Sequence, residues 1–87
     1  MADVHLPRTL LPLFPGLERR VELPAATVDD AIEQLDLRWP GLRDRLCEPG
    51  PALRPHIKLY VDGTHAHLGT PLAAGARLDV VAAITGG

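Results

Sequence analysis

The sequence is poor in the residues that build disulfides, metal cages and nucleic-acid surfaces. Its one cysteine, Cys47, excludes an internal disulfide and a cysteine-based zinc cage. Aromatic residues make up only 3% of the chain, so the core must consist mostly of Leu, Val, Ala and Ile. The net charge of -2 argues against a nucleic-acid partner, which normally requires a basic surface. No apolar run approaches the roughly 20 residues of a membrane span, so no membrane partner is expected.

The remaining composition is that of a small globular protein. A chain of 87 residues is predicted to form one domain, with little room for an enclosed active-site cleft beside the core. Hydrophobic residues are 46% and charged residues 23% of the total, an ordinary globular balance. Met1-Ala2-Asp3 begins no signal peptide, and Ala2 excludes N-myristoylation. With the lone cysteine, this leads us to expect a cytoplasmic protein.

Alternation of apolar and polar residues predicts the strands. A first strand is expected at Val4-His5-Leu6 and a second, antiparallel to it, from Glu18 to Leu23. A third runs from His56 to Val61, followed by a short edge strand at His65-Ala66-His67. The last predicted strand, Leu78 to Ala83, is apolar on both faces, which indicates a position in the middle of a sheet.

One long helix is predicted between the second and third strands. Thr27 suits its N-cap, Asp29 and Asp30 complement the helix dipole, and Pro40-Gly41 ends it. An apolar stripe of helical period runs along it and requires a sheet face to pack against. The stripe consists of Val28, Ala31, Ile32, Leu35 and Trp39. A short helical or irregular segment, Arg8 to Phe14, is expected to plug one end of the core.

This order of elements predicts an α+β fold, the ubiquitin-like β-grasp: a mixed sheet of four to five strands with one main helix across one face. The right-handed crossover rule places the first and last strands side by side, parallel and central. We expect a β-grasp domain over residues 1–83 and a flexible tail over residues 84–87. The helix-free face would carry His5, Lys58, Tyr60, Val81 and Ala83. Its apolar Tyr60 and Val81 fit either a partner-docking surface or ordinary scattered surface apolarity.

No spacing of reactive residues predicts a catalytic or metal site of the chain's own. Cys47 has no histidine nearby in sequence to activate it, so a buried spectator thiol is expected. His65 and His67 would share one face of a strand, as zinc ligands do, but a zinc site needs about four ligands and no third is evident. We therefore expect no metal or bound cofactor, and an enzyme is the least favoured class.

The sequence ends in Ile84-Thr85-Gly86-Gly87, directly after the predicted central strand. Glycine has no Cβ, so such a tail can lie close to another protein's backbone. Fully extended, residues 82–87 reach about 20 Å, enough to thread a narrow channel and deliver the Gly87 carboxylate to a partner's active site. Two terminal glycines alone also fit a frayed chain end.

Several short motifs follow one another along nearly the whole chain. They are Leu6-Pro7, Val21-Glu22-Leu23-Pro24, Thr27-Val28, Leu35, Trp39-Pro40-Gly41-Leu42, Val61-Asp62-Gly63, Pro71-Leu72, Gly75 and Gly86-Gly87. In this order they resemble the MoaD/ThiS sulfur carriers, especially the small subunit of molybdopterin synthase. Two stretches depart from the family pattern: Ala76-Arg77 stands where an acidic pair is common, and residues 82–85 lack the frequent proline. Both stretches lie near the surface that partner proteins would contact.

The resemblance implies a carrier cycle in which Gly87 is a substrate group. An E1-like enzyme would use ATP to adenylate the Gly87 carboxylate, and a sulfur donor would displace AMP to leave a thiocarboxylate. Ile84, Thr85 and Gly86 would thread into the partner. A sulfur-accepting synthase, such as a large molybdopterin-synthase-like subunit, would then take the sulfur.

Alternatives to this cycle stay open. The chain could be a covalent modifier joined through Gly87 to lysines of other proteins, or a non-catalytic β-grasp binding module. The molybdopterin pathway is favoured, and a cysteine precursor, a thiazole and a specialised metabolite stay open as sulfur acceptors.

Overall fold

The computed structural model describes residues 1–50 and 52–82 and contains a five-stranded sheet. In chain order the elements are β1 (Ala2–His5), a 3-10 helix (Arg8–Leu13), β2 (Arg20–Leu23), α1 (Val28–Arg38), α2 (Leu42–Leu46), β3 (Cys47–Glu48), β4 (Ala52–Leu53), β5 (Ile57–Val61), β6 (Thr64–Ala66) and β7 (Arg77–Ala82). Within the described ranges, no helix is long and apolar enough to cross a membrane.

The sheet has the strand order β2-β1-β7-β5-β6. Its central pair, β1 and β7, is parallel, with Val4 opposite Leu78, while every other pairing in the sheet is antiparallel. The β-grasp with a mixed sheet of four to five strands is therefore confirmed, with five strands present, as is the central position of the last strand. β7 pairs with β1 from Arg77 to Asp79 and with β5 from Leu78 to Ala82, so this strand lies in the middle of the sheet.

One face of the sheet packs on α1 and forms the core. Val4, Leu23, Leu59 and Leu78 on the sheet are fully buried, and Val80 is 3% exposed. The helix contributes the predicted stripe to the same core, with Val28, Ala31, Ile32 and Leu35 all fully buried. Trp39, at the C-cap of α1, is half-buried and packs on the edge of this core.

Side-chain caps fix both ends of α1. Thr27 Oγ1 accepts a hydrogen bond from the Asp30 backbone N–H at 3.1 Å, and the Asp30 carboxylate accepts one from Ala26 N–H at 3.0 Å. This exchange is close to a capping box. At the other end, Asp36 Oδ1 accepts from the backbone N–H groups of Gly41 and Arg43. Gly41 has a φ of 97°, a left-handed conformation that glycine adopts without steric cost.

Several element boundaries differ from the sequence prediction. β1 covers Ala2–His5 rather than Val4–Leu6, because Pro7 has no N–H to continue the ladder. β2 begins at Arg20 and not Glu18, and β5 begins at Ile57 because its N–H bonds back to Arg54 in a turn. β6 ends before His67, whose N–H bonds to Thr70 Oγ1 instead.

Two further features were not predicted. The β3–β4 hairpin consists of two pairs, Cys47 with Leu53 and Glu48 with Ala52, too short to show an alternating pattern. Leu13 is 46% exposed, although Leu10 and Phe14 of the same segment are buried in the core, as expected of a segment that plugs one end of it.

Candidate functional site

The candidate site starts where β7 ends. Ala82, the last residue of this strand, pairs with Ile57 of β5. Ala83 and the predicted tail residues Ile84, Thr85, Gly86 and Gly87 lie outside the described residues, so their roles stay predictions. The described part establishes that the tail's point of attachment is a central, doubly paired strand.

Four of the five residues assigned to a docking face lie together on the helix-free face of the sheet. Lys58 is opposite Val81, and Tyr60 and His5 flank Asp79 from either side. Val81 is 41% exposed, and the half-buried Tyr60 meets the His65 ring edge-on at a centroid distance of 5.7 Å. An exposed valine thus lies beside a lysine on an otherwise polar face, while the role of these residues in docking stays a prediction.

Ion pairs on this face neutralise most of its charge. Arg20 Nε donates to Asp3 Oδ1 at 2.7 Å, and His5 Nε2 lies 3.1 Å from Asp3 Oδ2. The hydrogen bond from Arg20 and, next, the contact with His5 hold the pKa of Asp3 below its ordinary value. Arg77 pairs with Asp79 two residues along the same strand. These pairs were not predicted, although the i, i+2 spacing of Arg77 and Asp79 indicates that the two side chains share one face of a strand.

A groove of about 650 Å³ lies beside the end of β7 and is lined by Ala82 itself. It combines apolar side chains with charged ones contributed by separate parts of the chain. Its lining includes Leu10, Leu13, Asp44, Arg45, Arg54, His56 and Ile57. Sequence reasoning could not find it, because these residues come from the 3-10 helix, α2 and the approach to β5.

The remaining chemically reactive residues are occupied by structural contacts. Cys47 is buried, and its burial raises the pKa of the thiol, so the nucleophilic thiolate is disfavoured. His67 Nδ1 accepts a hydrogen bond from Gly69 N–H at 3.1 Å, whereas His65 contacts Tyr60. Across residues 1–50 and 52–82, no three His, Cys, Asp or Glu residues are grouped to hold a metal.

Comparisons with known proteins agree with this architecture. The CysO chain in the BexX/CysO complex of Amycolatopsis orientalis superposes with a TM-score of 0.86 at 28% identity, covering 100% of both chains. SAMP1 of Haloferax volcanii is 31% identical with a TM-score of 0.77, covering 99% of this chain and 98% of its own. CysO of Mycobacterium tuberculosis, at 23% identity, covers 97% of this chain and 100% of its own with a TM-score of 0.84, and shares the fold.

Comparison by sequence separates two kinds of match. No curated protein matches the chain. The sequence profile of the ThiS family, however, matches residues 5–87. The chain therefore belongs to the ThiS family of ubiquitin-like sulfur carriers and modifiers.

Proposed function

We propose that this chain is a sulfur carrier whose Gly87 carboxylate is charged with sulfur by one partner and discharged by another. The observation that carries the proposal is the position of β7, paired on both edges and followed by a Gly-Gly sequence. A central strand fixes the start of the tail, so a partner that binds the domain has the terminal carboxylate within about 18 Å of Ala82. Family membership supports the same role.

The proposed chemistry requires activation because a free carboxylate is a poor electrophile. An E1-like enzyme would form the Gly87 acyl-adenylate from ATP, releasing pyrophosphate. Hydrosulfide delivered by a sulfur donor would then attack the acyl carbon and AMP would leave, which gives the thiocarboxylate directly. If the donor is a persulfide, its terminal sulfur would form an acyl disulfide, and a thiol of the donor system would reduce this to the thiocarboxylate and be oxidised to a disulfide. The carrier would contribute no general base, nucleophile, metal or bound cofactor; Ile84, Thr85 and Gly86 would connect the reacting group to the domain.

The second partner would accept the sulfur into a small molecule, and a molybdopterin precursor is the acceptor that the motif resemblance favours. The Amycolatopsis structure contains CysO in complex with BexX, so a carrier of this fold forms a protein complex there. For this chain we propose docking through Lys58, Tyr60, Val81, His5 and Ala83.

Deletion of Gly87 tests the proposal. The purified chain is incubated with its adenylating enzyme, ATP and a sulfur donor, and intact-mass spectrometry measures replacement of one oxygen by sulfur. We expect the full chain to gain the sulfur and the truncated chain to gain none. Both should melt at the same temperature, because β7 ends at Ala82. Sulfur gain by the truncated chain, or a mature polypeptide that extends past Gly87, would refute the proposal.

A second candidate, covalent attachment to other proteins, is favoured by the 31% identity to SAMP1, a small archaeal modifier protein. Lys58 is the only lysine of the chain, which gives a clean test. Lys58→Arg removes every side-chain amine, so an isopeptide adduct of this variant must have a lysine of another protein as its acceptor. Adducts that persist in Lys58→Arg and vanish on deletion of Gly87 would establish the modifier, whereas thiocarboxylate without adducts would establish the carrier.

A further inference from the structure

We propose that the adenylating enzyme, when it receives the tail, places acidic side chains in the groove beside Ala82, where they pair with Arg45 and Arg54. The inference rests on the proposed function, because it takes the tail to enter a partner. It adds the surface that is recognised and the charge of the partner's side of the interface.

The reach of the tail brings the groove into any such complex. Ala82 lines the groove, and five residues follow it in the sequence. Fully extended, five residues span at most about 18 Å. A partner whose reacting atoms meet Gly87 must therefore bring its channel entrance close to Ala82. The partner's surface around that entrance then lies against the groove.

The groove carries positive charge that the rest of the molecule does not neutralise. The chain has a net charge of -2, and three of its eight arginines, at positions 20, 43 and 77, are paired with carboxylates. Arg45 and Arg54 form no ion pair with any described residue. Arg54 Nε donates to the backbone carbonyl of Asp44 at 2.8 Å, which leaves its other N–H groups available. Against these two cations, Asp44 is the single acid among the lining residues.

Apolar contacts complete the groove. Leu13 is 46% exposed, and Leu10 and Ile57 lie beside it in the lining. The helix-free face differs, because Asp3 and Asp79 already neutralise its arginines. That face keeps Lys58 without an ion pair to any described residue, whereas the groove holds two such cations, Arg45 and Arg54. An acidic segment with apolar neighbours is therefore the partner surface that complements the groove.

Charge reversal at Arg45 tests this assignment. Arg45 is exposed on α2, so Arg45→Glu should fold normally. ATP–pyrophosphate exchange by the adenylating enzyme of the same organism gives the KM and kcat for each carrier variant at several salt concentrations. We expect a KM roughly tenfold higher for Arg45→Glu, an unchanged kcat and a weaker dependence of KM on salt. Arg45→Lys should restore most of the loss. Arg38→Glu, the same change at an exposed residue outside the groove, should leave KM unchanged.

Each contrary outcome is distinct. Equal KM values for Arg45→Glu and Arg38→Glu would overturn the groove while leaving activation of Gly87 intact. A lower KM for Arg45→Glu would mean that the groove binds the chain's own tail. A wild-type dimer in sedimentation that Arg45→Glu loses would mean that the groove binds a second copy of the chain. Either result would overturn the acidic partner. No exchange with the wild-type chain would overturn the proposed function together with this inference.

Discussion

Lys58 and Val81 lie directly opposite each other on β5 and β7, on the sheet face that α1 does not cover. Val81 is 41% exposed, although β-branched residues of central strands are normally covered. Val81 lies one residue before the end of β7, so a protein that binds the tail is expected to contact Val81 close to the point where the tail begins. The pair thus marks the centre of the proposed docking face.

Replacement of Val81 by aspartate should disrupt docking without unfolding the domain. A carboxylate at this position would remain beside water in the free chain but would be desolvated in a complex. We expect at least a tenfold weaker association with the tail-accepting partner, with a loss of unfolding free energy of at most about 1 kcal/mol. The isosteric Val81→Thr should bind nearly as the wild type does. Calorimetric titration and thermal melts measure both effects, and wild-type affinity of Val81→Asp would contradict the docking assignment.

Two leucines of α1 provide a matched test of the core. Leu35 is fully buried and Leu37 is 75% exposed, two residues apart on the same helix. Truncation of Leu35 to alanine should lower the unfolding free energy by about 2–5 kcal/mol, through lost burial and the cavity left behind. Leu37→Ala should change it by less than about 0.5 kcal/mol. Urea denaturation measures both values, and similar losses would show that α1 does not pack as described.

The fold was predictable because local patterns and global topology agree. The stripe on α1 and the cap at Thr27 predict one helix lying across a sheet, and the mostly apolar sequence of β7 predicts that the last strand lies in the centre. The right-handed crossover rule then leaves few arrangements. Boundaries were less accurate, because apolar periodicity does not report backbone hydrogen bonds. Pro7 has no N–H to extend the β1 ladder, and the Ile57 N–H bonds to Arg54 in the turn that precedes β5.

The candidate site was predictable only where alternation along individual strands determines which face a residue lies on. Alternation along β5 and β7 places Lys58, Tyr60 and Val81 on one face. The groove beside Ala82 depends instead on how α2 and the 3-10 helix pack against the start of β5. The same holds for Arg43, whose pairs with Asp29 and Glu33 join α2 to α1.

Cys47 should be unreactive in the folded protein. Burial raises the pKa of its thiol above the ordinary value of 9.0, so little thiolate forms near neutral pH. We expect Ellman's reagent to label Cys47 of the native chain only as fast as the structure around the thiol opens, and to label the urea-unfolded chain at once. Because the unfolded thiol ionises first, the stability of the wild type should fall relative to Cys47→Ala as pH rises above 9.0. Rapid labelling of the native chain would contradict the buried position.

Asp3 should contribute stability that depends on acid pH. The hydrogen bond from Arg20, and then the contact with His5, lower the folded-state pKa of Asp3 below 3.8. A carboxyl group with a lowered pKa stabilises the fold at pH values above its unfolded pKa and loses that contribution as pH falls through the folded value. The stability difference between wild type and Asp3→Asn should therefore be constant from neutral pH down to about pH 5 and should shrink below 3.8. Arg20→Gln removes the main partner of Asp3, so the stability difference between wild type and Arg20→Gln should shrink over the same acid range. A difference that stays constant through the acid range would mean that Asp3 ionises alike in the folded and unfolded chains, contrary to the pairing on β1 and β2.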